Sequence, residues 1–176
     1  LADSFRTQAD LVALRTLLRH REQLIAHRSP HVLHMQKALL QMNVQLTQVL
    51  SDVTGVTGLA IIRAIVGGER NPHTLAALRN HRCRKDEQEI AKALTGTWRA
   101  EHLFVLEQAL ALYDFYSHQM ADCDAEIERT YATIRPDWGS ETEQVCLPPA
   151  KAKSHSHNAP QGVDVRRHLK RIAGVD

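Results

Sequence analysis

Aromatic residues make up only 5% of the 176 residues, and there are eight glycines. Sheets draw on aromatics for strand pairing and on glycine for tight turns, so this scarcity argues for helices. The three cysteines, Cys83, Cys123 and Cys146, are odd in number and far apart, with no CxxC pair. That pattern supports neither a disulfide framework nor a zinc ribbon, and predicts a reducing, cytoplasmic setting. No apolar run approaches about 18 residues, so no membrane span is expected. No basic-then-apolar leader opens the chain. Gly55 and Gly58 lie in Thr54-Gly55-Val56-Thr57-Gly58, without the spacing or the lysine of a phosphate-binding loop, and read as hinge and cap residues. No serine sits in a nucleophile elbow. Asp122, Asp124, Glu126 and Glu128 are close in sequence but spread around a helix, so they form no catalytic carboxylate pair.

What is present is a chain with enough apolar material for a core, 43% hydrophobic and 24% charged. Its charge is segregated. Residues 1–50 carry six bases and three acids, 100–143 carry ten acids and two bases, and 151–171 carry six bases and one acid. Such a distribution predicts elements that meet with opposite sign, plus a basic arm suited to a polyanion.

Steps of three and four from Leu11 reach Leu14, Leu18, Arg21, Ile25, Arg28, Val32, Met35, Leu39, Met42, Leu46, Val49 and Val53. Eleven of these thirteen positions are apolar, which is the heptad seam of a coiled coil. Pro30 interrupts it and predicts either one kinked helix or two stacked ones. A second seam runs through Leu103, Leu106, Leu110, Tyr113, Ser117, Met120, Asp124, Ile127, Tyr131 and Ile134. Thr97 is its expected N-cap. The fold class expected is therefore all-α: a long antiparallel helical hairpin over 11–135, with Leu39 and Leu110 buried between its arms. Three short helices form a tip at 56–96: Leu59 to Val66 capped by Thr57, Asn71-Pro72 through Arg79, and Asp86 to Leu94. Residues 136–162 hold four of the six prolines and read as a flexible linker. Residues 163–176 begin with a basic amphipathic helix, and residues 1–10 read as a junction from an upstream domain. The ends read as those of a piece cut from a longer protein.

Two basic clusters suit phosphate contact: Arg79, Arg82, Arg84 and Lys85 in the tip, and Arg166, Arg167, Lys170 and Arg171 near the end. Arg21 and Arg28 occupy seam positions, where a charge sets register or pairs with an acid such as Asp124. His27, His31 and His34 share one helix face, and imidazoles at i and i+4 can hold zinc. With no carboxylate or cysteine placed to complete a set, they read as polar surface beside the seam. His155 and His157, beside Lys151 and Lys153, read as solvated linker.

Several stretches resemble the middle of transposases of the insertion sequence 110 family. They are His34-Met35-Gln36-Lys37-Ala38-Leu39, Met42-Asn43-Val44-Gln45-Leu46 and Ser51-Asp52-Val53-Thr54-Gly55-Val56-Thr57-Gly58. Ala64-Ile65-Val66-Gly67-Gly68-Glu69-Arg70-Asn71-Pro72 and Trp98-Arg99-Ala100-Glu101-His102-Leu103-Phe104 belong to the same set. The resemblance implies a DNA transposase or recombinase of bacterial mobile elements. In that family a RuvC-like domain holding divalent metal (magnesium) precedes a coiled-coil segment, and a domain with a serine nucleophile follows it. It implies DNA and a structured guide RNA as partners, and a homo-oligomer assembled through the coiled coil. The catalytic acids and serine would lie outside this chain, so no catalytic residue is carried over. Pro30 departs from the uninterrupted helix the family pattern suggests. The alternative reading is a structural coiled-coil interaction module with no nucleic-acid role.

Overall fold

The heptad seams become two long helices. The computed structural model describes residues 9–134, and in order along the chain these form α1 (Ala9–Gln41), α2 (Leu46–Val49), α3 (Val56–Val66), α4 (Pro72–Ala77), α5 (Glu87–Ala93) and α6 (Ala100–Ile134). Every described residue of both seams is buried or half-buried, so the periodicity marks the face each helix turns inward. The fold class is all-α, with α1 packing on α6, and there is no strand among the described residues. The linker at 136–162, the last helix and the opening junction lie outside the described residues.

The chain forms two units, each drawing on both long helices. One comprises, among the described residues, 9–25 and 118–134; the other is 26–117. In the first, Leu24, Met120, Cys123 and Ile127 are buried together with Arg21. Arg21 closes a fork onto Asp124, Nε to Oδ1 at 2.5 Å and Nη2 to Oδ2 at 3.3 Å. The expectation that a seam arginine meets Asp124 is thus met.

The second unit holds the main core. Met35, Leu39, Met42 and Leu46 from the first half meet Ile61, Ile62, Ile65, Leu75, Ile90, Leu94 and Leu106, all buried. Leu110 is buried there too. Arg28 touches Ser117 (3.1 Å), whereas the Met42 carbonyl accepts from the Thr97 amide (2.7 Å). Advancing along α1 therefore means retreating towards the start of α6, and the pair is antiparallel.

Pro30 neither breaks nor splits α1. It lies on the exposed side, as does Ala26, so the carbonyl that the missing N–H leaves without its helical bond belongs to a residue within reach of water. The first arm does end sooner than its heptads suggest. Asn43 adopts φ 59°; its amide reaches the Leu40 carbonyl and the Val44 amide reaches Leu39, both at 2.9 Å. These paired bonds, with Leu39 and Val44 buried, form a Schellman stop. Met42, Leu46, Val49 and Val53 continue the spacing without continuing the helix.

The tip helices fall close to their expected places. Asn71 caps α4 through its side chain to the His73 amide. Asp86 and Glu89 form a reciprocal capping box on α5, satisfying two amides that would otherwise lack partners. Two expected caps are corrected. Thr57 lies inside α3, where Gly55 takes the cap position. Thr97 does not cap α6; Arg99 precedes that helix, and its carbonyl accepts from His102 and Leu103. Two glycines serve close approach. A Cβ on Gly58 would lie 2.1 Å from the Val53 carbonyl oxygen, and one on Gly96 would lie 2.6 Å from that of Met42.

Candidate nucleic-acid interface

The basic stretch 79–85 joins α4 to α5, and its backbone is pinned at several points. The Asn80 amide donates to Thr57 Oγ1 (2.9 Å), and Asn80 Oδ1 accepts from the Arg82 amide (3.0 Å). The Cys83 amide bonds to the Asn80 carbonyl. The loop is thereby tied to α3 at one side and runs into the Asp86 capping box at the other.

These bonds sort the four cations. Arg79 is half-buried, and its Nη1 donates to the Lys85 carbonyl at 2.9 Å, so this guanidinium closes the loop. Lys85 Nζ meets Glu89 at 2.9 Å; that hydrogen bond, then the charge of Glu89, raises its pKa and offsets its charge locally. Arg82 and Arg84 are exposed, with His81 also exposed beside them. The site therefore presents two open guanidiniums on a fixed loop. Arg166, Arg167, Lys170 and Arg171 lie outside the described residues.

Two other arginines near the tip are engaged. Arg63 pairs with Asp114 (2.6 Å). Arg70 stacks over Trp98, 5.0 Å from the ring centre, and donates to the carbonyls of Ile65 and Glu69.

The histidine face on α1 packs more closely than solvated surface would. His27 and His31 both stack on Tyr116, with ring centres 5.8 and 5.5 Å away, and His34 meets His31 edge-on at 5.8 Å. Burial, and then neighbouring His34, lowers the pKa of His31. Arg28 lies over Tyr113 at 5.2 Å. Among the described residues no three His, Cys, Asp or Glu side chains converge as a metal site would require, so these residues do not fit a magnesium centre. Among the same residues no helix is long and apolar enough to cross a membrane.

Sequence reasoning did not anticipate the outward face of α6. Phe104, Val105, Leu112 and Phe115 are all exposed. Their signal was a second apolar set, offset from the seam within the same helix. No family model, curated protein or solved structure matches this chain.

Proposed function

We propose that this chain is the central coiled-coil segment of a DNA transposase of the insertion sequence 110 type, serving assembly and nucleic-acid contact. The family assignment rests on the sequence resemblance. The contact role rests on one observation: Arg82 and Arg84 stand open to solvent on a loop pinned by Asn80, Thr57 and Arg79. Guanidiniums held in this way suit the phosphate backbone, because each contact releases condensed counterions and carries no base information. Arg166, Arg167, Lys170 and Arg171 would add to the same footing on DNA or on a structured guide RNA. The metal-dependent chemistry, with magnesium, belongs to parts of the full protein outside this chain.

Fluorescence anisotropy of the 176-residue chain against duplex DNA and a structured RNA, across a salt series, tests the reading. Arg82→Ala with Arg84→Ala is expected to weaken binding to all sequences alike and to lower the DNA salt slope by about two units, one per lost phosphate contact. Lys85→Ala adds little, because Glu89 already engages the ammonium. An unchanged slope in the double variant, or no binding by the parent chain, returns the molecule to a structural coiled-coil module.

A further inference from the structure

The loop that carries Arg82 and Arg84 carries a third open planar group. His81 is exposed between Asn80 and Arg82. Cys83 turns the other way and packs, half-buried, against the core. Positions 81, 82 and 84 therefore present an imidazole and two guanidiniums together. Their backbone is held by the Asn80 amide on Thr57 and by Arg79 on the Lys85 carbonyl. Two aliphatic side chains border them. Leu78, at the end of α4, is 42% exposed, and Val56, the first residue of α3, is 75% exposed.

Phosphate contact accounts for the charge of this surface and leaves its rings and apolar border without a use. Nucleobases use both, because their faces are flat and stack on imidazole rings and guanidinium planes. In a duplex those faces are covered by neighbouring pairs, and the grooves present base edges alone. The side chain on this loop suited to a base edge is that of Asn80, and its Oδ1 is engaged by the Arg82 amide at 3.0 Å. Between α4 and α5 the chain forms turns, neither the helix nor the two-stranded ribbon that a major groove admits. The open groups thus fit bases that are already unstacked.

We propose that the 78–84 surface, together with Val56, binds unpaired nucleotides of a single strand. His81 stacks on a base while Arg82 and Arg84 hold the flanking phosphates. This rests on the reading of the loop as a nucleic-acid interface and names the form of nucleic acid it takes. Phosphate contact alone gives the opposite preference, because a duplex packs its charge more densely.

Fluorescence anisotropy of the full chain tests it, with circular dichroism run alongside. The probes are single strands of one length, as DNA and as RNA, each in a base-bearing and an abasic form, and the DNA strand paired as a duplex. The abasic strands keep the phosphates and lack the bases. The base-bearing strand is expected to bind about tenfold more tightly than its abasic counterpart. His81→Ala should remove about that margin while leaving the duplex and the abasic strands unchanged. His81→Phe, which keeps a ring and carries no charge, should restore it. The polymer on which His81→Ala acts, DNA or RNA, is the one that supplies the bases. Equal affinity for base-bearing and abasic strands in both polymers overturns the proposal while leaving the phosphate reading in place. A loss in His81→Ala that His81→Phe does not restore also overturns it. No binding to any probe overturns both readings. If His81→Ala lowers helix content, the comparison of base-bearing with abasic strands on the parent chain decides by itself.

Discussion

Individual side chains in this molecule are decided by what surrounds them. Arg21 and Asp124 are nearly withdrawn from water, with 8% and 12% of their side chains exposed. Removing one charge from such a pair leaves the other buried and uncompensated. Asp124→Ala should therefore destabilise the chain by about 3 kcal/mol, whereas replacing both residues with Met and Leu should be nearly neutral. Urea denaturation of the two single variants and the double closes the cycle; equal losses in the single and double variants would sink this account. Cys123 sits beside the same pair, and burial, followed by the charge of Asp124, raises its thiol pKa.

His31 makes a second argument at this scale. Its Nδ1 is buried without a hydrogen-bond partner, and the rings packed on it, His34 and Tyr116, offer no carboxylate. Its folded pKa lies below the ordinary 6.5. The unfolded chain therefore takes up a proton first as pH falls. Stability from this residue is complete above pH 6.5 and is lost as pH drops from there through the folded pKa. Thermal melts between pH 8 and 5 should show that decline, and His31→Phe, which keeps the stack on Tyr116, should flatten it.

Among the elements, α1 shows how a helix end overrides a repeating pattern. Its 33 residues span about 50 Å. The stop lies at Asn43, in the left-handed region that asparagine and glycine tolerate best. Asn43→Gly should be neutral or slightly stabilising, and Asn43→Ala should cost about 1 kcal/mol. Matching losses for both in chemical denaturation would mean that side-chain bonding, and not backbone strain, makes the asparagine matter. Beside that stop, Gly96 lets the segment after α5 lie against the Met42 carbonyl, which accepts from the Thr97 amide.

For the molecule as a whole, the two units differ in what they bury. The 26–117 unit carries twelve aliphatic or methionine side chains larger than alanine that are exposed by less than 2%, among them Met35, Ile61 and Leu94. In the other, Leu11, Leu14 and Leu18 are only half-buried. Buried apolar area sets the energy of local opening. Amide hydrogen exchange should therefore be fastest at 9–18, and slowest in α3 and in the Met35–Met42 stretch. Uniform protection along α1 would contradict that ordering.

The helical class and the inward face of both long helices are legible in the residues alone, because a heptad is a local rule: every seam residue sits a turn or two from the next. So are the caps at Asn71 and Asp86, whose partners lie two or three positions away. Where α1 ends is set by packing, because Met42, Leu46, Val49 and Val53 satisfy the same spacing while Gln45 and Met42 bond to Ala93 and Thr97. Packing likewise decides which bases are open. Arg79, Arg82, Arg84 and Lys85 are alike as letters, and only the fold brings the Lys85 carbonyl to Arg79, and Glu89 to Lys85. The outward face of α6 was written in Phe104 and Phe115, but a helix with two apolar faces shows which one the chain buries only when packed. The bonds that separate structural cations from available ones span only four to six positions, but they cross the turn into α5, and neither heptad spacing nor composition marks them.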